Sequence, residues 1–422
     1  MSPAVPKDRA SASIPGRLWW ITIASGLAFY LDAATITSIA IAVPVWRDHY
    51  QLGAWEVGIL GSGLAYAVAL GALVGGRLGD RFGRARVLTI DLVIFTAGVL
   101  LVAFASGSVA LTCGVVIVGL AAGADMPTAL AVIADAAPDH ARGRLIGLTQ
   151  VLWIAGILCT FAVGFAVSGL GFTGARILTL HLVIVAVITL SLRLTVGGYR
   201  APATAEHRDA PRLGRLAGSG ALKPMLATGA FLLCWNIAAT TLGSYGTYFL
   251  VTITRLTQTQ ATGLVLVSFA PSLVISIVFV RLADSRWRDR LFIVAALTQV
   301  TALTVGAISG GTAIGGMVAL ILLYSLSNVF AGEAIYKVWS QLLLPATVRS
   351  TAVGVTYAVA RAGAAAFLLV VPAVAEANGG ILLWTLVGCL TASGLVGLLI
   401  VRLPAWRQRL APRRPAATVA AE

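Results

Sequence analysis

Apolar runs of about twenty residues, separated by short polar stretches, follow one another along almost the whole sequence. A helix of roughly 20 apolar residues is long enough to cross the roughly 30 Å hydrocarbon core of a bilayer. We therefore predict an all-α polytopic membrane protein with twelve transmembrane helices. The predicted spans are residues 18–45, 55–77, 86–105, 108–135, 143–168, 172–195, 223–252, 257–282, 290–309, 311–338, 349–374 and 379–402.

One polar stretch, residues 196–222, is longer than the other internal ones and separates six predicted spans from six. It predicts two six-helix bundles, an N-terminal bundle at 18–195 and a C-terminal bundle at 223–402. An N-terminal tail (1–17) and a basic C-terminal tail (403–422) complete the predicted organisation.

A charged turn recurs at the same place in each half of the chain. The first copy, Gly76–Arg86, reads GRLGDRFGRAR, and the second, Arg281–Arg288, reads RLADSRWR. A helix-stopping proline followed four residues later by arginine also occurs in both halves, at Pro138 and Pro345. These repeats predict two pseudo-symmetric bundles with a binding site between them near the middle of the membrane.

Composition and charge agree with a membrane location. Of the 422 residues, 59% are hydrophobic and 11% are charged, which is too little charge for the surface of a soluble protein. The net charge is +14, and most of the 30 basic residues fall in short loops on one predicted side. Because such loops stay in the cytoplasm, we expect both termini and the linker there, with the chain in the plasma (inner) membrane. The same distribution argues against nucleic acid as a partner.

Motifs of enzyme chemistry are missing from the sequence. It contains no metal-ligand spacing, no phosphate-binding loop and no nucleophile motif. The four cysteines all lie inside apolar segments, where packing is their ordinary role. We predict that the protein is not an enzyme, binds no metal and needs no cofactor. Neither tail is long enough to form the output domain of a receptor.

Four ionisable residues fall deep inside predicted spans, where a charge is costly unless it is paired or hydrated. They are Asp32, Asp125, Glu333 and Arg361. Counted at 1.5 Å per residue from the nearest loop, each lies about 18–20 Å from a membrane surface, so we expect them to converge near the midplane. We expect Glu333 to face Arg361. Asp32 and Asp125 are then acids without a fixed basic partner, and all three acids are candidates for proton coupling.

The charged turn GRLGDRFGRAR resembles the loop signature of the major facilitator superfamily, and the likeness extends over nearly the whole chain. Within that superfamily the chain is most similar to the sugar-porter and metabolite:proton symporter branches. Ala134–Pro138 and the following Arg142–Arg144 resemble their fourth-span motif. Asp32 matches a first-span aspartate of proton coupling, and Gln150 a fifth-span glutamine that contacts sugar.

The resemblance implies a secondary active transporter that works by alternating access as a monomer. It implies symport of a small solute with protons, with the proton gradient as the energy source and lipid as the surroundings. A cytoplasmic gate is expected from the charged turns and their partners: Gly76, Asp80, Arg81, Gly83, Arg84, Asp91, Asp135, Arg142 and Asp284.

Polar and aromatic residues of spans 5, 7 and 10 are the candidates for substrate binding, because these spans line the cavity in the family that the chain resembles. They are Gln150, Trp153, Trp235, Asn236, Tyr245, Tyr248 and Tyr336. Such side chains suit a sugar or polyol, an aromatic acid or a nucleoside-like solute. Arg361 and Lys337 favour an anion, unless Glu333 neutralises them.

Three positions depart from the sugar-porter pattern. Val115 replaces a fourth-span arginine, Cys234–Trp235 replaces a pair of glutamines, and Leu342 replaces a tenth-span glutamate. The substrate class therefore stays open between sugars and other organic solutes. The alternative function is a proton-antiport exporter of small molecules or drugs.

Overall fold

The computed structural model describes residues 15–136, 142–196, 221–282, 285, 287–309, 313–344 and 349–403. Across these residues the chain forms thirteen α-helices and one short 3-10 helix, and no strand. The all-α prediction is confirmed. The predicted linker, both tails and parts of several loops fall largely outside the described residues.

Six helices form the first half of the chain. α1 and α5 are neighbours along most of their length, α2 packs on α4, and α3 packs on both α4 and α6. Their bounds are α1 Gly16–Tyr50, α2 Ala54–Phe82, α3 Arg84–Ala103, α4 Ser108–Ala136, α5 Arg142–Val167 and α6 Gly171–Thr195, with the 3-10 helix Ser168–Leu170 before α6.

Seven helices form the described part of the second half. Within it, α7 packs on α13, and α10 packs on α11 and α13. The bounds are α7 Leu222–Thr252, α8 Gln258–Phe269, α9 Pro271–Leu282, α10 Arg288–Ile308, α11 Ile314–Ser327, α12 Glu333–Leu343 and α13 Arg349–Arg402.

Four predicted spans map onto this half in modified form. The eighth span is divided into α8 and α9 at Pro271, because proline has no N–H for the helical ladder. The tenth span is divided into α11 and α12, with residues 328–332 between them. α13 covers the last two spans and is interrupted at Asn378, whose Oδ1 accepts a hydrogen bond from the N–H of Ile381 at 3.1 Å and so caps the second arm.

The chain divides into two compact units. The N-terminal unit comprises the described residues of Met1–His207 and of Gln258–Gly263. The C-terminal unit comprises those of Arg208–Thr257 and of Leu264–Glu422.

The exposed surface of the helices requires a lipid environment. Among the described residues, nine helical segments are long and apolar enough to cross a bilayer. Aliphatic side chains such as Ile90, Val93 and Ile94 of α3 are 45–57% exposed. α1 is the exception, since 83% of its apolar stretch is buried against 28–50% for the others. α1 is therefore the interior helix of its unit, and the protein is a multi-pass membrane protein.

Gly83 makes the turn between α2 and α3. Its φ is +88°, a left-handed conformation that residues with a Cβ adopt only with strain. Gly83 is the last of the three glycines of the charged turn, and backbone geometry explains its place in the motif.

Candidate functional site

The first polar cluster lies between α1 and α5 of the N-terminal unit. Asp32 is 1% exposed, and the indole Nε1–H of Trp153 donates a hydrogen bond to its Oδ2 at 3.3 Å. Gln150 lies one turn before Trp153 on α5 and is half-buried. Two buried hydroxyls of α1, on Thr35 and Ser38, have no hydrogen-bond partner among the described residues. The structure thus joins a predicted proton-coupling acid to a predicted substrate residue.

The second cluster of this unit is an ion pair that the sequence interpretation missed. Asp125 of α4 and Arg193 of α6 form two parallel hydrogen bonds of 2.8 Å, and both side chains are buried. Arg193 also donates to the carbonyl oxygens of Ala24 and Leu88, each at 3.1 Å. The prediction that Asp125 has no fixed basic partner is therefore wrong.

Asp125 and Asp32 also lie at different heights in the N-terminal unit, contrary to the expectation that they converge. Eleven residues of α4 follow Asp125, whereas only two residues of α6 follow its partner Arg193. α4 therefore extends roughly 13 Å beyond the end of α6 by helical rise. Arg193, the partner of Asp125, donates to the carbonyl oxygen of Ala24, which lies about 12 Å along α1 from Asp32. Counting from the loops did not reveal this difference, because helices of one bundle end at different heights.

Asp91 belongs to the same cluster as Asp125. It lies nearly one turn after Leu88 on α3, is 7% exposed, and is within electrostatic range of both Asp125 and Arg193. Two carboxyl groups therefore share one guanidinium at this end of the unit. Sequence reasoning placed Asp91 in a network with Asp80 and Arg84, whose side chains are outside the described set.

The C-terminal unit carries a cluster at the break in the tenth span. Glu333 is the first residue of α12, and its Oε1 lies 2.8 Å from Nζ of Lys337. The hydroxyl of Tyr357 on α13 donates to the same oxygen at 2.9 Å. Arg361 lies within electrostatic range of Glu333, one turn beyond Tyr357. Glu333 and Arg361 therefore lie in the same cluster, but the ion pair of Glu333 is with Lys337.

Aromatic side chains surround this cluster. The rings of Tyr336 and Tyr357 meet edge to face at 5.2 Å, and the hydroxyl of Tyr336 is hydrogen-bonded to that of Thr356. A Cβ on Gly332 would approach the ring of Trp235 to 2.7 Å, so α7 reaches the break as well. Tyr336 and Trp235, both predicted substrate residues, therefore lie beside Glu333 or at the break that precedes it.

The other predicted substrate residues of α7 have different surroundings. Asn236 accepts a hydrogen bond from the hydroxyl of Thr240 in its own helix. Tyr248 donates to Glu376 at 2.8 Å and packs with Tyr245 and the neighbouring Phe249. Glu376 is 15 residues beyond Arg361 on α13, about 22 Å by helical rise. The structure therefore does not bring Tyr245 and Tyr248 to the Glu333 cluster.

The predicted gate is described only in part. Gly83 and Asp91 are described above. The surroundings of Gly76, the side chains of Asp80, Arg81, Arg84, Asp135 and Arg142, and the whole of Asp284 lie outside the described part of the chain. Their gating role remains a prediction.

Sequence reasoning missed Arg193, Glu376 and Tyr357. Arg193 lies in the last turn of its helix, where an arginine ordinarily marks the cytoplasmic side. Tyr357 was detectable, because it lies four residues before Arg361 and so shares its helix face. Among the described residues no group of three His, Cys, Asp or Glu side chains could hold a metal ion.

Comparison with known proteins decides the family. A model described as Major Facilitator Superfamily matches residues 18–368. The chain belongs to the major facilitator superfamily. It is 30% identical to the minor myo-inositol transporter IolF of Bacillus subtilis (strain 168) over 396 residues, which is 90% of this chain and 89% of that protein.

Two further matches extend this result. The galactose-proton symporter of Escherichia coli (strain K12) is 30% identical over 190 residues, 45% of this chain and 40% of that protein. The crystal structure of a D-xylose-proton symporter matches with a TM-score of 0.73 at 18% identity, over 92% of this chain and 97% of that chain. The resemblance to the sugar and metabolite symporter branch is confirmed, as is the superfamily fold. This member of the superfamily is a transporter and not an enzyme.

Proposed function

We propose that the protein is a proton-driven symporter that takes up a small polar organic solute by alternating access. The observation that carries this proposal is the Asp32–Trp153 pair, a buried carboxylate hydrogen-bonded to an indole that lies one turn from Gln150. Two relatives, named as a myo-inositol transporter and a galactose-proton symporter, support it.

Asp32 is the residue through which the proton acts. An ionised carboxylate inside a membrane protein is costly to move through an apolar environment, whereas the protonated form is neutral. The indole N–H of Trp153 stabilises the ionised form by a charge-assisted hydrogen bond. Protonation weakens that bond and releases Trp153, so proton binding and the position of a substrate-contacting side chain are linked.

The solute binds through amide, indole and phenol groups. Gln150 and Trp153 are the candidates of the N-terminal unit and offer hydrogen bonds and a ring face, and Trp235 and Tyr336 are the aromatic candidates of the C-terminal unit. We place both termini in the cytoplasm, because the basic loops fall on one predicted side of the membrane. We further propose that the protein is a monomer of the plasma (inner) membrane.

The test is proton-driven uptake by the Asp32→Asn variant in proteoliposomes, with myo-inositol and gluconate as labelled probes. A pH gradient of one unit supports about tenfold accumulation of a solute carried with one proton, provided the membrane potential is clamped at zero. Asparagine imitates the protonated carboxyl group, so this variant equilibrates the probe by exchange but does not accumulate it.

Asp48→Asn is the matched control, since Asp48 lies on the same helix and is exposed. This variant accumulates the probe as the wild type does. Accumulation by Asp32→Asn at the wild-type level refutes the coupling role of Asp32. Accumulation only when the gradient is reversed identifies the exporter.

A further inference from the structure

We propose that the cluster at the break between α11 and α12 binds a carboxylate, and that the transported solute is a small organic monoanion. The inference rests on the proposed transport function and names its substrate class. Its central residue is Arg361, with Glu333, Lys337 and Tyr357 as the supporting groups.

The charges of the cluster leave one positive charge uncompensated. Lys337 forms an ion pair with Glu333 at 2.8 Å, and Tyr357 donates to the same carboxylate oxygen at 2.9 Å. Among the described residues, Arg361 has neither a hydrogen bond nor an ion pair within 4.0 Å, although Glu333 is within electrostatic range. Two cations and one carboxylate therefore give the cluster a net charge of +1.

The excess positive charge lies far along an apolar helix. It lies in the apolar segment Val355–Arg402, 12 residues after the start of α13, about 18 Å along the helix. An uncompensated guanidinium at such a depth is costly and marks a functional site by default.

The guanidinium faces away from the lipid. Val359 and Val370 are three turns apart on α13 and are 55% and 36% exposed, so they mark the lipid-facing side. At 100° per residue, Arg361 is about 200° from Val359 and about 40° from Tyr357. Arg361 and Tyr357 thus share the face opposite the lipid, where Arg361 is half-buried.

Two further polar atoms at the break have no hydrogen-bond partner among the described residues. The indole Nε1 of Trp235 and the amide Oδ1 of Asn328 are buried, and neither has a hydrogen-bond partner among the described residues. Trp235 contacts the break through Gly332, and Asn328 begins the non-helical residues. A buried polar group without a partner is costly, so these atoms favour a bound solute with its own polar groups.

These features specify the ligand. The planar fork of Arg361 matches the two oxygens of a carboxylate, and one excess positive charge matches a monoanion better than a phosphate ester. The rings of Tyr336, Tyr357 and Trp235 suit a flat or ring-shaped body. We assign the carboxylate to Arg361 and the body of the solute to these rings.

Binding of matched acid and neutral probes to the purified full-length protein tests the assignment. The probe pairs are gluconate against glucitol and benzoate against benzyl alcohol, and the readout is the dissociation constant at pH 7. The wild type binds one of the two acids at least about tenfold more tightly than its neutral partner, as expected for a charge-assisted bond. Arg361→Gln removes that preference, and Arg361→Lys restores part of it.

Arg290→Gln is the control, because Arg290 is an exposed arginine of the same unit and its loss changes the net charge equally. It keeps the preference for the acid. If Arg361→Gln does not fold, Arg361→Lys still tests the assignment, because a point charge without the planar fork lowers the acid preference severalfold.

Two outcomes overturn the assignment: an acid preference unchanged in Arg361→Gln or in Arg361→Lys, or a wild type that binds neither acid more tightly than its neutral partner. Either outcome leaves proton symport of a neutral solute standing. Conversely, an acid preference that depends on Arg361 together with no proton-driven accumulation upholds this site and refutes the symport.

Discussion

The ion pair between Asp125 and Arg193 shows how a single residue contact changes a functional interpretation. Asp125 was a candidate for proton coupling because it lies in an apolar helix. Its two carboxylate oxygens both accept hydrogen bonds from Arg193, which also holds α1 and α3 through their carbonyl oxygens. Arg193 therefore ties four helices together, and we infer a structural role for the pair.

Removal of Arg193 tests this role. Arg193→Gln leaves Asp125 buried beside Asp91 without a cation, and loss of one partner of a buried pair costs about 3–5 kcal/mol. The expected result is a melting temperature of the purified protein lower by on the order of 10 °C. Arg86→Gln, at an exposed arginine of α3, serves as the control and leaves the melting temperature unchanged. A variant at Arg193 that melts like the wild type contradicts the structural role.

At the residue level, the sequence revealed which ionisable side chains lie in apolar helices but not which acid pairs with which base. An acid or arginine in an apolar run is visible in the sequence, and Asp32, Glu333 and Arg361 were found that way. Which base meets which acid depends on helix heights and rotations, which the sequence does not reveal. Lys337 was available one turn from Glu333 on the same helix, and that spacing was the usable signal.

At the level of elements, the break between α11 and α12 is the feature that builds the proposed site. It ends one helix at Ser327 and starts the next at Glu333, so that the acid lies at a helix N-terminus. Gly332 permits the break, because a Cβ there would lie 2.3 Å from the carbonyl oxygen of Asn328 and 2.7 Å from the ring of Trp235.

Gly332→Ala tests the importance of the break. The added methyl group forces apart α7 and the residues of the break, a type of overpacking that costs roughly 1–3 kcal/mol. We expect roughly tenfold or greater loss of uptake, because the added methyl group displaces both Trp235 and Glu333. Gly243→Ala on α7 is the control, since nothing lies within 4 Å of its added Cβ, and it transports normally. Uptake by Gly332→Ala at the wild-type rate would show that transport does not depend on the geometry of the break.

The all-helical fold and the positions of the apolar helices were predictable, whereas the interruptions were only partly so. The length and polarity of the apolar runs predicted the helices of both halves, because spanning a bilayer fixes these quantities. Pro271 marked the division of the eighth span, yet the span was predicted as continuous. The tenth span carries only Gly332 as a signal, and glycine is too common here, with 45 residues, to mark a break.

At the level of the whole molecule, the two proposals predict the net charge that crosses the membrane in each transport cycle. Asp32 carries one proton, and Arg361 binds one carboxylate, so the solute and its proton cross the membrane together without net charge. Transport of a neutral solute with one proton would instead move one positive charge. Uptake that does not respond to the membrane potential, measured with potassium and valinomycin, therefore favours the monoanion, and uptake driven by an inside-negative potential favours a neutral solute.

The most direct test of proton symport is the movement of protons when solute is added. Proteoliposomes without any gradient are placed in weakly buffered medium with a pH electrode, and gluconate or myo-inositol is added to the outside. Proton symport predicts that the medium becomes alkaline with the wild type and that its pH does not change with Asp32→Asn. Acidification of the medium, or exchange of labelled solute without any change of pH in the wild type, would contradict it.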